Sequence, residues 1–317
     1  MNPQNKDPLL EVENLSVSFL QYTAGLRERV VNVINDLSVC VNPGEIVAIV
    51  GSSGSGKSLL AHAIFGILPN NSIVSGNIKF NGNNLDDEYK KKLRGKEMFL
   101  IPQSVNYLDP LMKVGKQITT AIPGNHSKEE KIQILKDILK KFDLDEEVAN
   151  MYPFQLSGGM TRRILISCAL VSGAKLIVAD EPTPGLDIKS ATETLDNLRK
   201  LADDGCGVIL ITHDIDISMR IADKIAVFYG GTTLEIAPTE EFDGTGDDLR
   251  HPYSKALFKA LPQNEFKGIS GFQPSHFDKH QGCLFAERCE ICTSQCMEKN
   301  IEMRELRGGK VRCIHAE

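Results

Sequence analysis

The chain contains 317 residues, 41% of them hydrophobic and 25% charged, which is the composition of a globular protein and excludes a disordered, collagenous or coiled-coil chain. Its 36 Lys and Arg against 42 Asp and Glu give a net charge of −6, and Trp is absent, so a broad nucleic-acid-binding surface is not expected. No apolar stretch approaches the ~18 residues of a membrane span, and the N-terminus lacks the apolar core of a signal peptide, which predicts a soluble, cytosolic chain.

The first fifty residues predict β-structure. Residues 10–19 and 36–41 alternate apolar and polar side chains, the pattern of half-exposed strands. Residues 45–50, 176–180 and 208–212 are nearly all apolar, which is typical of strands buried on both faces. Because helical patterns separate these apolar strands, the sequence predicts an α/β fold with a parallel core.

A glycine-rich segment, Gly51-Ser-Ser-Gly-Ser-Gly-Lys-Ser58, matches the P-loop pattern G-x-x-x-x-G-K-S/T. It follows a predicted buried strand and opens a predicted helix over residues 59–68, the context that a P-loop requires. Its backbone amides and the helix N-terminus can hold phosphate oxygens, with Lys57 on the β- and γ-phosphates and Ser58 on Mg²⁺. The glycine order and the Lys-Ser pair argue against a dinucleotide-binding loop. The predicted nucleotide-binding residues here are Gly51, Ser52, Ser53, Gly54, Ser55, Gly56, Lys57, Ser58 and Leu59.

A helix is predicted after Ser127. Ser127 and Glu130 have the spacing of a capping box, in which each side chain accepts a hydrogen bond from the other residue's backbone amide. The apolar residues that follow fall on one helical face. They are Ile132, Leu135, Ile138, Leu139 and Phe142.

A second group of anion-binding amides is predicted at Ser157, Gly158 and Gly159, within Leu156-Ser-Gly-Gly-Met160 and just before a helical run. Two phosphate cradles in one chain indicate that the second binds the nucleotide of a partner subunit.

The apolar strand at residues 176–180 ends in two carboxylates, Asp180 and Glu181. Asp180 can hold Mg²⁺ directly or through water. Glu181 can polarise the attacking water, and general-base help of this kind contributes typically ~10²–10⁴-fold. The pair predicts a hydrolytic site next to the P-loop.

Composition changes near Phe242, where the turn-rich segment 243–248 predicts a boundary between a domain at 1–245 and an extension at 246–317. Five cysteines crowd into the end of this extension, and because a reducing cytosol disfavours disulfides, they predict a metal site. The other three, Cys40, Cys168 and Cys206, lie in apolar contexts and are expected to be buried.

These motifs together resemble the nucleotide-binding subunits of ABC transporters over residues 9–311. The resemblance implies an α/β P-loop NTPase cassette with a mixed-sheet core, an antiparallel β subdomain and a helical subdomain at about 104–172, followed by a small Cys-rich C-terminal extension. It implies that Gln103 touches Mg²⁺ and senses the transmembrane subunit, and that His213 contacts the γ-phosphate. Phe19 falls at the adenine-stacking position, with Tyr22 as the alternative because residues 21–31 look like an insertion.

The resemblance also implies a branch. Ser157-Gly-Gly-Met160, its lead-in from Tyr152 and the later His251-Pro-Tyr are similar to the peptide and nickel importers. An ATPase of this branch would work peripherally at the cytoplasmic face of the membrane, with a second, usually different ATPase subunit, two permeases and an extracellular substrate-binding protein. The cargo stays open among di- or oligopeptides, nickel and metal chelates.

In several members of this branch the extension carries an iron–sulfur cluster. The matching positions here are Cys283, Cys289, Cys296 and Cys313, and Cys292 is an extra candidate. Four thiolates suit [4Fe–4S] or tetrahedral Zn²⁺, and free thiols are the remaining alternative.

The sequence departs from the family pattern in three places. Met160 and Arg162 stand where Gln is usual, and Pro184-Gly185 replaces a pair of small residues in the D-loop, which is expected to cross the dimer interface. Two other functions remain as alternatives: a soluble ABC ATPase acting on nucleic acid or ribosomes, and a P-loop kinase. The acidic charge and the single cassette disfavour the first, and the second phosphate cradle disfavours the kinase.

Overall fold

The computed structural model describes residues 7–22, 27–52, 54–274 and 281–317. Within these residues it contains two sheets and nine α-helices. The strands are β1 (Leu10–Tyr22), β2 (Glu28–Val41), β3 (Ile46–Gly51), β4 (Ser72–Phe80), β5 (Asn83–Asn84), β6 (Met98–Ile101), β7 (Leu176–Asp180), β8 (Gly207–Thr212), β9 (Lys224–Tyr229), β10 (Thr232–Pro238), β11 (Arg304–Leu306) and β12 (Gly309–Val311). The helices are α1 (Lys57–Phe65), α2 (Asp87–Leu93), α3 (Val114–Ala121), α4 (Lys128–Lys141), α5 (Gly158–Val171), α6 (Ile188–Asp203), α7 (Ile215–Ile221), α8 (Pro252–Lys259) and α9 (Ser294–Glu298).

The larger sheet has the strand order β11-β12-β10-β9-β3-β8-β7-β6. Strands β6 to β9 and β3 run parallel, whereas β10, β11 and β12 are antiparallel, so the sheet is mixed as predicted. Every residue of β3, β7 and β8 is buried, which confirms that these strands are covered on both faces.

The alternation of side chains along β3 divides the interior into two apolar cores. Ile46, Ala48 and Val50 belong to a core shared with the helices, while Val47 and Ile49 belong to a core shared with the antiparallel sheet. Successive residues of a strand point to opposite faces, so a strand at the centre of the sheet contributes to both cores.

The antiparallel sheet has the order β2-β1-β4-β5. Its first two strands are longer than predicted, because β1 continues to Tyr22 and β2 begins at Glu28. Tyr22 pairs with Glu28, and Phe19 pairs with Val31. The described residues of segment 21–31, which looked like an insertion, therefore extend strands β1 and β2.

The predicted capping box starts α4: Ser127 Oγ accepts from the Glu130 amide at 3.1 Å, and a Glu130 carboxylate oxygen accepts from the Ser127 amide at 2.7 Å. Ile138 and Leu139 on its predicted apolar face are buried, but Ile132, one turn into the helix, is 42% exposed. Only the C-terminal half of that face therefore packs into the core with α3 and α5.

Two other predictions need correction. The helix after the P-loop ends at Phe65, not at residue 68, because Gly66 takes the left-handed conformation of a helix C-cap.

Cys40 is exposed near the end of β2, where it alternates with buried valines. Cys168 and Cys206 are buried as expected, and burial raises the pKa of each thiol to about 12.

The C-terminal residues join the larger sheet. Strand β12 pairs with β10, aligning Val311 with Glu235. The ring of Tyr229, at the end of β9, packs against Tyr253 at a centroid distance of 4.4 Å and against Phe285 at 5.7 Å. The extension is therefore held to the sheet by strand pairing and aromatic packing.

Candidate functional site

The P-loop connects β3 to α1. A side chain at Gly51 would place its Cβ 2.2 Å from the carbonyl oxygen of Phe228 on β9, so only glycine fits there. Gly56 caps α1 with a φ of 95°, a left-handed value that disfavours other residues. Ser53 lies outside the described residues.

Lys57, the first residue of α1, folds back over the loop. Its Nζ donates to the carbonyl oxygens of Gly51 and Ser52, at 2.8 Å in each case, and the residue is 6% exposed. Burial lowers the pKa of the Lys57 ammonium, and the nearby carboxylates of Glu181 and Asp180 oppose that shift. A compact cation thus lies at the centre of the loop, in electrostatic contact with the predicted base Glu181 and the predicted magnesium ligand Asp180.

Two buried polar atoms beside the loop lack partners among the described residues. They are Oδ1 of Asp180, whose residue is 3% exposed, and Oγ of Ser55. Burial raises the pKa of Asp180, against the opposing hydrogen bond from Ser58. An unpaired buried polar group costs about 1–3 kcal/mol, which a bound cation or phosphate group would offset. The residues present therefore fit a magnesium nucleotide, with Asp180 and Ser58 as neighbouring oxygen ligands.

The three predicted catalytic residues meet at one carboxylate. Glu181 Oε2 accepts from Gln103 Nε2 at 3.0 Å, and Oε1 lies 3.0 Å from His213 Nδ1. Glu181 follows β7 with a φ of 46°, and its amide donates to the carbonyl of Ile211 at 2.9 Å. A non-glycine residue in this left-handed region costs about 1–3 kcal/mol, so the surrounding contacts must hold it there.

The second predicted phosphate cradle starts α5. Ser157 caps the helix by accepting from the Met160 amide at 3.3 Å, and both Ser157 and Gly158 are exposed. A Cβ on Gly158 would meet nothing within 4 Å. The N-terminus of α5 is thus exposed, and an anion can approach its backbone amides.

The two candidate adenine-stacking rings differ in exposure. Phe19 is half-buried and packs against the core shared with the antiparallel sheet, whereas Tyr22, near the end of β1, is 70% exposed. The Tyr22 ring therefore has the free face that stacking on a base requires.

Four of the C-terminal thiols lie near one another. Burial raises the pKa of Cys283 to about 11, and the thiols of Cys313, Cys289 and Cys296 add to that shift. Across residues 7–22, 27–52, 54–274 and 281–317, no group of three or more His, Cys, Asp or Glu side chains is placed to hold a metal ion. The predicted iron–sulfur or zinc site, with or without Cys292, therefore has no support from these side-chain positions.

Two contacts at the site have no signal in the sequence. The Ser52 hydroxyl of the P-loop donates to Gln273 Oε1, which comes from the C-terminal extension. The Arg162 guanidinium donates to the main-chain carbonyls of both Glu181 and Gln103. The sequence marked Arg162 only as a departure from the family pattern.

In the part of the chain that the structure describes, no helix has the length and apolar character needed to cross a bilayer.

Comparison with known proteins identifies two matching families. The ABC transporter family matches residues 34–184, and the family "Oligopeptide/dipeptide transporter, C-terminal region" matches residues 234–296. The chain is 34% identical to the "Oligopeptide transport ATP-binding protein OppD" of Haemophilus influenzae, with 92% of each chain covered. It is 33% identical to the "Dipeptide transport ATP-binding protein DppD" of Escherichia coli, with 97% of this chain and 96% of that protein covered.

Among solved structures, the chain is similar to the dimeric bacterial ABC transporter cassette MJ0796 and to its post-hydrolysis state bound to ADP and Pi. Each match has a TM-score of 0.63 and 28% sequence identity, and covers 73% of this chain and 98% of the cassette. These matches confirm the predicted cassette fold.

Proposed function

The chain belongs to the ABC transporter family of ATPases, and from this premise we propose that it hydrolyses ATP to drive the import of di- or oligopeptides. The observation that carries the chemistry is the Glu181 carboxylate, which Gln103 and His213 contact on its two oxygens and which lies near the Lys57 ammonium.

The P-loop is proposed to hold the nucleotide phosphates through residues Gly51 to Leu59, Ser53 included. Lys57 would exchange the carbonyls of Gly51 and Ser52 for β- and γ-phosphate oxygens, which carry more negative charge and compete for the same ammonium. Asp180, Ser58 and Gln103 would hold Mg²⁺. When bound, that ion would neutralise negative charge that develops during phosphoryl transfer.

Glu181 is the proposed general base. Its carboxylate would accept a proton from water as the water oxygen attacks the γ-phosphorus, with ADP leaving and phosphate formed. His213, whose Nδ1 lies 3.0 Å from Glu181 Oε1, would contact the γ-phosphate from the neighbouring strand end. The adenine is proposed to stack on Tyr22 in preference to Phe19, because Tyr22 has the exposed ring.

The open N-terminus of α5 supports a head-to-tail dimer. Ser157, Gly158 and Gly159 would bind the phosphates of a nucleotide held by the P-loop of a second, sister ATPase, and ATP would hold the pair closed. The similarity to a dimeric cassette agrees with this arrangement. We propose that two permeases and an extracellular binding protein complete the transporter, with this chain peripheral at the cytoplasmic face of the membrane.

The cargo class rests on the relatives. Those described above carry the names oligopeptide and dipeptide transport proteins, and the family matched at residues 234–296 has the same description. Peptides are therefore preferred to nickel or metal chelates, and nothing in these similarities supports the nucleic-acid or ribosome alternative.

The test of the proposed hydrolysis is Glu181→Gln. This substitution keeps the shape and one hydrogen-bond acceptor of the side chain but removes its basicity. We expect ATP binding to persist and turnover to fall by about 10²–10⁴-fold, so that an ATP-bound dimer accumulates in size-exclusion chromatography. Hydrolysis at the wild-type rate would show that Glu181 is not the base.

The metal at the C-terminal cysteines stays a prediction, and no step of the mechanism passes through it. Anaerobic purification followed by metal analysis tests it. A [4Fe–4S] cluster would colour the protein brown, with absorbance near about 400 nm and four iron atoms per chain. One zinc per chain would support the alternative, and metal-free protein would leave the thiols free.

A further inference from the structure

Arg162 lies in the first turns of α5, and its guanidinium is buried at the catalytic end of β7. The residue is 6% exposed. Its Nη1 donates to the main-chain carbonyl of Glu181 and its Nη2 to that of Gln103, both at 2.6 Å. The planar guanidinium holds these two donors on separate nitrogens in a fixed geometry, whereas the glutamine usual at this position carries both of its N–H donors on one nitrogen.

These two contacts close a ring of hydrogen bonds. Gln103 Nε2 donates to Glu181 Oε2 at 3.0 Å, so the side chains of the two residues meet while Arg162 holds their main chains. Arg162 therefore sets how far apart the two backbones lie, and with it the position of the Glu181 carboxylate relative to the Gln103 amide.

Glu181 needs such support because its φ of 46° is strained for a non-glycine residue. Among the described residues, two hydrogen bonds hold its main chain: its amide donates to the carbonyl of Ile211, and its carbonyl accepts from Arg162. A catalytic carboxylate misplaced by about 1 Å can lose on the order of 10²-fold in rate.

The same helix carries the second phosphate cradle. Ser157 caps α5, and Arg162 follows within the next two turns. A guanidinium bound to Glu181 thus attaches this chain's own base to the helix that would meet the nucleotide of the sister subunit.

We propose that Arg162 is a positioning residue for ATP hydrolysis, which acts through Glu181 and Gln103 by fixing their main chains to α5. The proposal rests on the proposed function, because it takes Glu181 as the base. It assigns Arg162 no contact with the nucleotide, so binding of ATP should not depend on it.

The experiment compares Arg162→Gln with Arg162→Lys and with the control Arg163→Gln, in the full-length chain within its transporter complex. Gln is neutral and carries both N–H donors on a single nitrogen, whereas Lys keeps the positive charge but lacks the planar pair of donor nitrogens. Arg163, next along α5, donates to the carbonyl of Phe142 at 2.9 Å and does not contact Glu181, so its substitution removes an equal charge from the same helix.

We expect Arg162→Gln to lower kcat by about 10- to 100-fold with the Kd and KM for ATP changed by less than about 3-fold. Arg162→Lys should lie between it and the wild type. Arg163→Gln should keep kcat within about 3-fold of the wild type. A wild-type kcat in Arg162→Gln, or a loss confined to KM, would overturn the proposal.

A double-mutant cycle separates positioning from a general structural effect. If Arg162 acts through Glu181, adding Arg162→Gln to Glu181→Gln should change the residual rate by less than about 3-fold. A further loss as large as in the single variant would show that Arg162 acts elsewhere. Thermal unfolding and ATP binding confirm that each variant is folded, and Arg162→Lys supplies the comparison if Arg162→Gln does not fold. Absence of ATPase activity in the wild type would instead refute the proposed function.

Discussion

The sequence predicts a chemical site both at the P-loop and at the C-terminal cysteines. The structure brings the predicted residues of the first site into contact, but it shows no metal-ligand arrangement among the described residues of the second. At the nucleotide site, Gln103 and His213 come from distant parts of the chain and meet at Glu181, beside an aspartate with an unpartnered oxygen. At the cysteines, the thiols are near enough to raise one another's pKa, yet no described group is arranged as a metal site.

The difference follows from the elements that carry the residues. Asp180 ends a strand that is paired on both sides, Glu181 follows it directly, and Lys57 begins a helix, so regular hydrogen bonding fixes their directions. Cys283 and Cys289 flank a short 3-10 turn, where local turn hydrogen bonds set the main chain and no strand pairing does. The spacing of residues in the sequence therefore predicts a functional site best where the ends of strands and the starts of helices fix the side-chain positions.

The largest expected effect tests what holds the extension to the cassette. The Arg250 side chain is fully buried, and it binds the buried Glu235 and the carboxylate of Glu241. Arg250→Met leaves the Glu235 charge without this partner, and we expect a loss of about 3–5 kcal/mol in the free energy of unfolding. Urea unfolding measures it.

The matched control is Arg307→Met, whose guanidinium is more exposed and donates to the carbonyl of Asp248. It should cost less than about 1 kcal/mol. If instead a chelator destabilises the wild type as much as Arg250→Met does, a metal holds the extension, and the contrast between the two regions disappears.

The second prediction is that one substitution at Asp180 lowers the ATPase activity and raises the stability of the nucleotide-free protein. Asp180→Asn removes a proposed magnesium ligand, so we expect kcat to fall by about 10²–10³-fold. It also removes a buried carboxylate whose pKa is raised by burial, so the nucleotide-free protein should gain stability at neutral pH.

The sign of the pH dependence follows from that raised pKa. Between the unfolded and the folded pKa values the folded state binds more protons, so this group lowers stability as the pH rises through that window. Asp180→Asn should remove that decline. Thermal unfolding at several pH values checks it, and an unchanged pH profile would contradict the assignment.

How much the sequence predicted can be judged from these same residues. The strands at 176–180 and 208–212, the capping box at Ser127 and the P-loop followed from local patterns, because each depends on a few neighbouring residues. The exposure of Cys40 was predicted wrongly from residue type, because cysteine is usually buried, although its place in the alternating strand opposite Leu37, Val39 and Val41 indicates the outward face.

The meeting of Arg162 with Glu181 and Gln103 was equally out of reach of the sequence. It depends on how α5 lies across the ends of β6 and β7, and no local pattern specifies that crossing. The same holds for Gln273, which reaches the P-loop from the extension.

The third prediction sharpens the contrast at the cysteines. Cys296 is buried, whereas Cys292 is half-exposed. If the thiols are free, Cys296→Ser buries a hydroxyl and should cost about 1–2 kcal/mol, while Cys292→Ser should stay within about 0.5 kcal/mol of the wild type. Chemical unfolding of metal-free protein measures both. A loss well above 3 kcal/mol in Cys296→Ser, matched by chelation of the wild type, would point to a bound metal.

The smallest expected effect concerns the hydrogen bond between Ser52 of the P-loop and Gln273 of the C-terminal extension. A hydroxyl has one proton to donate, and the Ser52 hydroxyl gives it to Gln273 Oε1, so in this arrangement it cannot donate it to a phosphate oxygen. Gln273→Ala frees the hydroxyl, and since an exposed neutral hydrogen bond contributes about 0.5–1 kcal/mol, ATP should bind about 2- to 5-fold more tightly. Fluorescence titration with a nucleotide analogue measures the Kd.

Gln263→Ala is the control. The Gln263 amide donates to Asp216, away from the P-loop serine, so this variant should leave the Kd for ATP unchanged. Weaker binding in Gln273→Ala would show that Gln273 contacts the nucleotide itself, which would place a residue of the extension inside the site.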